Sequence, residues 1–301
     1  MDRPDCILVK IAPEITLKSP SVRKYFTDKL VKNIKSSLRA ASLSGTRITR
    51  GEGRIYIFAE KEKLGKIPKL LEKSFGVYAF ADARLISADS LSSVAEKITE
   101  IAGHELRESK TFAVRAAFPQ EKNFRSKDVE VEAGSFILKA LPHLKVNLGS
   151  PEKTVFAEGK KGKVFVYVKL AFGPGGLPVG CQGTVGVLFD GAEDAAISAW
   201  LMLKRGCSVF PIADGKTKKI EEQVGRLVQW NAGRKFKITS IDEIPELVEK
   251  PDISIKAIAG GGSAFTNALE KEKSGYAVPL YEPLLFLPAA MKKQIGAVLN
   301  D

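Results

Sequence analysis

Apolar and polar positions divide the 301 residues into three stretches of different rhythm. Cys6-Ile7-Leu8-Val9-Lys10-Ile11-Ala12 is a short, mostly apolar run of strand length. Ser19-Pro20 then predicts a helix start, with the hydroxyl as cap and proline in the first turn. Val22, Phe26, Leu30, Ile34 and Leu38 recur every fourth residue and form one stripe, while Lys24, Lys32, Lys35 and Arg39 lie off it. This helix should therefore show a cationic outer face. Thr46–Arg50 and Arg54–Ala59 flank Gly51-Glu52-Gly53 as a hairpin, and a shorter helix turns Leu64, Ile67, Leu71 and Phe75 inward. Strand, helix, strand, strand, helix predicts a small ferredoxin-like domain over 1–75.

A second α/β block spans 76–172. It reads as a helix from Ser90 to Leu106, a strand at Thr111–Ala117, a helix from Ser126 to Leu141, and strands at Lys153–Glu158 and Lys163–Leu170. The polar stretch from Pro119 to Arg125, carrying Phe124, is read as a loop, and Lys160-Lys161-Gly162-Lys163 as a solvated hairpin turn. Gly173-Pro174-Gly175-Gly176 reads as a linker or boundary. Past it, over 173–301, short apolar strands alternate with helices: Val185–Phe189, a helix to Arg205, Ser208–Ala213, a helix near Ile220–Trp230, then Phe236–Ile241, Ile253–Ala259 and Val278–Tyr281. That alternation predicts a Rossmann-like parallel sheet, whose ligands sit beyond the carboxyl ends of the strands. The first strand-to-helix turn, Phe189 to Ala195, is the place to look for chemistry.

Charge sharpens this picture. The net charge is +12, and residues 1–170 hold all of the excess, with 32 Lys+Arg against 20 Asp+Glu; residues 171–301 hold 15 of each. A one-sided basic region is the footprint expected for a polyanion, nucleic acid before membrane surface. Three scattered cysteines and two histidines argue against a metal set or a disulfide framework. No apolar run approaches a spanning helix, and Met1-Asp2-Arg3-Pro4-Asp5 reads as lacking a signal peptide. A cytoplasmic setting without membrane attachment is the expectation.

Several segments, taken in order, resemble the tRNA 4-thiouridine synthetase (tRNA sulfurtransferase) family. Pro13-Glu14-Ile15-Thr16-Leu17-Lys18 resembles its opening segment. Phe112-Ala113-Val114-Arg115, Phe124-Arg125-Ser126-Lys127-Asp128-Val129-Glu130 and Val146-Asn147-Leu148-Gly149-Ser150-Pro151-Glu152 are similar to its THUMP domain. Gly175-Gly176-Leu177-Pro178-Val179-Gly180-Cys181-Gln182-Gly183 and Ala199 to Cys207 are the most specific stretches. The resemblance implies a ferredoxin-like domain, a THUMP RNA-binding domain and a PP-loop ATP-pyrophosphatase domain. It also implies tRNA, docked by its acceptor end, as partner, and a homodimer is a further expectation.

On this basis Lys18, Arg23, Lys24, Lys32, Lys35, Arg115, Arg125 and Lys127 are the candidate phosphate contacts. Phe124 is either a platform for an unpaired base or a core residue. Arg115 either meets RNA or pairs with an acid in its sheet.

A working PP-loop reads Ser-Gly-Gly-x-Asp-Ser. Here Asp190, Gly191, Ala192, Glu193, Asp194 and Ala195 align with it, and only Gly191 and Asp194 match. Asp190-x-x-Glu193 resembles a capping box, which would make the loop supply its own anion. The expectation is a tRNA-binding protein of tRNA thiolation with impaired or lost ATP chemistry, acting beside a separate sulfur carrier or catalytic partner. The alternative is an active ATP- and Mg2+-dependent sulfurtransferase with an unorthodox loop. The cysteine on which the family's transfer relies lies well past the loop, and no cysteine follows Cys207 in this sequence. Gly260-Gly261-Gly262-Ser263-Ala264 reads as a second anion cradle or as a plain loop.

Overall fold

The computed structural model describes residues 4–118, 124–249, 254–260 and 278–300. Contacts gather the chain into two units, each threaded from several segments. The first takes 1–9, 45–66 and 79–172; the second takes 10–44, 67–78 and 173–301.

The first unit carries most of a nine-stranded sheet. Its strands are β1 (Cys6–Ile11), β2 (Arg47–Gly51), β3 (Arg54–Phe58), β4 (Val77–Ser87), β5 (Thr111–Ala117), β6 (Lys145–Val146), β7 (Lys153–Lys160), β8 (Lys163–Tyr167) and β9 (Ala171–Phe172). Their order is β2-β3-β1-β4-β8-β7-β5-β6, with β9 paired to β4. On one face, α5 (Leu91–Leu106) and α6 (Ser126–Ala140) bury Val94, Ile98, Val129 and Ile137 over Phe112, Val155 and Val164. Ser90 caps α5 by accepting from the Ser93 N–H at 3.2 Å.

The other face closes on itself. Tyr56 on β3 and Phe165 on β8 lie 4.4 Å apart between ring centroids, although β1 and β4 separate their strands. The sheet must curl to bring them together, as a strongly twisted sheet does. Beside the rings, Arg54 donates to both oxygens of Glu158 (Nε 2.9 Å, Nη2 3.1 Å), and the Tyr167 hydroxyl donates to Glu158 at 2.7 Å. Lys160 closes the rim, 4.2 Å above the Tyr56 ring and 2.8 Å from the Arg50 carbonyl.

In the second unit α1 (Pro13–Thr16) precedes α2 (Pro20–Ala40), which buries Phe26, Leu30, Ile34 and Leu38. Val22, the expected first member of that stripe, is exposed, and the Ser19 hydroxyl makes no cap bond; proline's fixed φ starts the helix without it. The helix expected around Leu64–Phe75 is two short pieces, α3 (Lys61–Leu64, in the first unit) and α4 (Ile67–Leu71), broken at Gly65-Lys66. Its four apolar positions are buried as expected. Strand β4, which the apolar pattern did not single out, follows directly.

The parallel sheet comprises β10 (Thr184–Phe189), β11 (Ser208–Ala213), β12 (Thr239–Ser240), β13 (Ile255–Ala259) and β14 (Leu280–Tyr281), in the order β12-β11-β10-β13-β14. The expected strand Phe236–Ile241 shrinks to the two residues of β12. With α7 (Glu193–Lys204), α8 (Lys218–Arg226) and α9 (Ile244–Glu249), this is a doubly wound arrangement whose strand order reverses between β10 and β13.

The segment read as a linker is tied down: Gly173 N donates to Tyr78 O, Gly175 N to Val77 O, and Leu177 N to Lys204 O, each at 2.8–2.9 Å. A Cβ on Gly176 would lie 2.5 Å from the Lys204 carbonyl oxygen, so that glycine is required by close packing. Phe75 sits 5.3 Å from both Trp200 and Trp230 and anchors the core.

Candidate RNA-binding face and nucleotide loop

Helix α2 places Lys24, Lys32 and Lys35 within about 80° of arc along about 16 Å of its length. All three are exposed, as is Lys18 just before the helix. The side chains of these four make no hydrogen bond or ion pair among the described residues. Arg23 is half-buried and donates from Nη1 to the Thr16 carbonyl at 3.4 Å, so it braces the segment Pro13–Lys18.

The THUMP-like candidates separate by role. Arg115 is exposed on β5 and pairs with no acid among the described residues; its guanidinium donates to the Leu148 carbonyl. Asn147 Oδ1 in turn accepts from the Gly149 and Ser150 N–H groups at 3.1 and 3.0 Å. Arg115 therefore shapes the loop Val146–Pro151. Phe124 is buried and meets Phe118 in a T-shaped pair, 6.3 Å between centroids, a placement that favours the core reading over the stacking platform. Arg125 and Lys127 stay exposed, beside Asp128 (3.4 Å) and Glu130 (3.5 Å). The Lys160–Lys163 segment is a two-residue hairpin turn with positive φ at Lys161 (52°) and Gly162 (74°). The stretch 119–123 lies outside the described residues.

The loop at the head of β10 has the strand-turn-helix course of an anion site, with Gly191 at φ +86°. Its chemistry differs. Asp190 Oδ1 accepts from the Ala192 N–H at 2.8 Å, and Ala195 N donates to Ala192 O at 3.2 Å. The helix cap is Ala192, without a side-chain bond, so the expected Asp190-x-x-Glu193 capping box does not form. Glu193 turns instead to Arg226, which donates from Nη1 at 3.0 Å and Nη2 at 2.8 Å. Asp194 binds Lys292 at 3.0 Å. Gln223 donates to the Gly191 carbonyl at 3.0 Å.

Besides Asp194, which a working loop also carries, two further carboxylates, Asp190 and Glu193, thus flank a turn that has already used the Ala192 and Ala195 N–H groups internally. A nucleotide phosphate needs free donors there, and carboxylates a few ångströms away would oppose it. Asp190 and Glu193 disfavour a phosphate at this turn. Gln223, Arg226 and Lys292 lie far from the loop in sequence, and no spacing pattern singles them out.

The cysteines are equally unsuited to act as thiolates. Burial pushes the Cys181 thiol up to about 11 and raises that of buried Cys207. Of the glycine run at 260, Gly260 accepts from the buried Ser198 hydroxyl at 3.0 Å; residues 261–264 lie outside the described residues. Among the described residues no cluster of metal-ligating side chains occurs, and no helix is long and apolar enough to cross a membrane.

Residues 6–81 match the ThiI ferredoxin-like domain, and residues 88–169 match the THUMP domain. Over 246 residues the chain is 32% identical to a probable tRNA sulfurtransferase of Methanosarcina mazei, covering 78% of this chain and 60% of that one. A probable tRNA sulfurtransferase of Methanothermobacter thermautotrophicus is 33% identical over 248 residues, 78% and 61% of the two chains. The chain belongs to the tRNA sulfurtransferase family. It spans about three fifths of the length of these curated relatives. Among solved structures, a Pyrococcus horikoshii protein superposes with a TM-score of 0.82 at 24% identity, over 98% of this chain and 99% of that one. A 4-thiouridine synthetase solved with RNA and bound ATP superposes with a TM-score of 0.78 at 19% identity, over 99% of this chain and 85% of that one. These two likenesses establish the shared fold.

Proposed function

We propose that this family member is a cytoplasmic tRNA-binding protein of tRNA thiolation that docks the acceptor end and has lost the ATP step. The observation that carries the reading is the pairing of two opposite surfaces. The row Lys18, Lys24, Lys32 and Lys35 stands exposed and unpaired among the described residues, while the loop Asp190–Ala195 is filled by its own acids. The first supplies the phosphate contacts on which RNA affinity rests. The second favours a self-contained turn over a nucleotide. Sulfur transfer would then fall to a separate carrier or catalytic partner, since neither Cys181 nor Cys207 is held as a thiolate. We propose the domain division at 1–75, 76–172 and 173–301 as a description of chain order.

A second reading keeps the chain as an active ATP- and Mg2+-dependent sulfurtransferase. The positive φ of Gly191 at the strand-to-helix turn favours it, because that backbone course is what a phosphate loop needs. Calorimetric titration with Mg-ATP, with and without tRNA, separates the two. The expected result is tRNA binding without ATP heat. Micromolar ATP binding would reverse the order of the readings.

A further inference from the structure

A groove of about 1670 Å³ opens within the second unit, between the end of α2, α4, α8 and the last helix, Ala289–Asn300. It is larger than the ~300–1,000 Å³ typical of a small-molecule pocket. Apolar groups line it: Ala40, Ala41, Leu70, Val228 and Val298. Cations stand among them, Lys69, Lys73, Lys219 and Lys235. Lys69, Lys219 and Lys235 are exposed and make no hydrogen bond or ion pair among the described residues, while Lys73 donates to Gln229 at 2.9 Å. Three acids share the lining. Glu193 is taken by Arg226, Glu222 lies 4.0 Å from Lys218, and Glu72 is exposed. With Arg226, the lining carries five cations against three acids.

We propose that this groove docks an acidic, amphipathic segment of a partner protein. Apolar anchors would cover Leu70, Val228 and Val298, and carboxylates would meet the unpaired lysines. Charge complementarity selects the occupant: a basic or neutral helix would leave Lys69, Lys219 and Lys235 unmatched. A single-stranded RNA is the weaker occupant. The aromatic in the wall, Trp230, is buried and offers no face for a base to stack on. The inference deepens the reading of a protein that works beside a partner, but it does not depend on tRNA binding.

The test uses the full chain and a fluorescein-labelled helical peptide of about twelve residues in the repeat Glu-Glu-Leu-Leu, whose anchors recur at helical spacing. A peptide with Lys in place of Glu is the control. The structure calls for the acidic peptide to bind and the basic one not to. The triple variant K69E/K219E/K235E should weaken the acidic peptide at least about tenfold, about half a kcal/mol from each of the three exposed pairs being enough. Its far-UV spectrum and tRNA affinity should stay unchanged, and the arginine triple variant should restore peptide binding. No binding of the acidic peptide, or equal binding by the Glu triple variant, would overturn the proposal. Displacement of the peptide by an oligonucleotide, with a parallel loss of tRNA affinity, would assign the groove to RNA instead. Failure of tRNA binding alone would count only against the proposed function.

Discussion

At the residue scale the clearest energetic commitment is Glu158. It is only 13% exposed in its side chain and accepts two bonds from Arg54 and one from Tyr167. Breaking a buried pair by neutralising one member strands the other charge. Glu158→Gln should therefore cost about 2–3 kcal/mol in urea unfolding, more than loss of an exposed pair such as Lys97–Asp89. The same cluster sets an alkaline limit. Burial raises Tyr56 from its ordinary value of 10.0 to about 12 and Cys6 from 9.0 to about 12. Groups raised in the folded state contribute stability below their unfolded pKa and lose it as pH climbs through the folded one. Stability should thus hold to about pH 9 and fall toward pH 12, with the part of the phenolate absorbance that Tyr56→Phe removes appearing together with unfolding. Exposed Tyr25, Tyr78 and Tyr281 ionise without unfolding, so only that difference is diagnostic. A Tyr56 phenolate that appears while the fold stays intact would mean that its ring is open to water. None of this was legible in the sequence. Glu158 and Arg54 are 104 residues apart, and only a curled sheet brings them together.

At the scale of elements, much more was legible. Helix α2 keeps its period-four stripe from Phe26 to Leu38, and the lysines off that stripe are exposed, because one side of a helix must bury what the other side cannot. The β5 strand and the two THUMP helices fall where apolar periodicity put them. One misreading has a plain cause. The capping box is judged from neighbours in the chain, while Glu193 takes its partner from elsewhere, Arg226 on α8. The cationic row gives a test at this scale. Reversing Lys24, Lys32 and Lys35 to Glu removes up to three phosphate contacts. The slope of log K against log salt for tRNA should then flatten by as much as about three, with affinity lower throughout. Unchanged slope and affinity would place the RNA on another face. Restoring Ser-Gly-Gly-Glu-Asp-Ser at 190–195 tests the loop. ATP binding gained by the folded variant would show that Asp190, Ala192 and Ala195 alone prevent it. No gain would show that the pocket beyond the loop is closed too, the Glu193–Arg226 pair included.

At the scale of the whole chain, the order of segments matters more than their identity. The sequence reads as three consecutive blocks, yet the unit that contains the parallel sheet also takes 10–44 and 67–78. Those segments are part of its interior. Phe75 packs on Trp200 and Trp230, and Asn33 Nδ2 donates to the Val179 carbonyl at 3.1 Å. A fragment of residues 173–301 would keep all five parallel strands and still expose both tryptophans where Phe75 had covered them. Losing a buried aromatic costs about 3–5 kcal/mol, and the loss of α2 and α4 adds to it, against a total stability of about 5–15 kcal/mol for a domain. The fragment should therefore lack a cooperative thermal transition and show red-shifted tryptophan emission, and adding a separately made 1–172 should not restore the native spectrum at micromolar concentration. A cooperative transition from 173–301 alone would mean that the sheet carries its own core and that the first 78 residues only decorate it. The distinction bears on function, because α2 carries the proposed RNA row. If the sheet cannot fold without that helix, a family member that loses its nucleotide chemistry still has a structural reason to keep the fold around the degenerate loop.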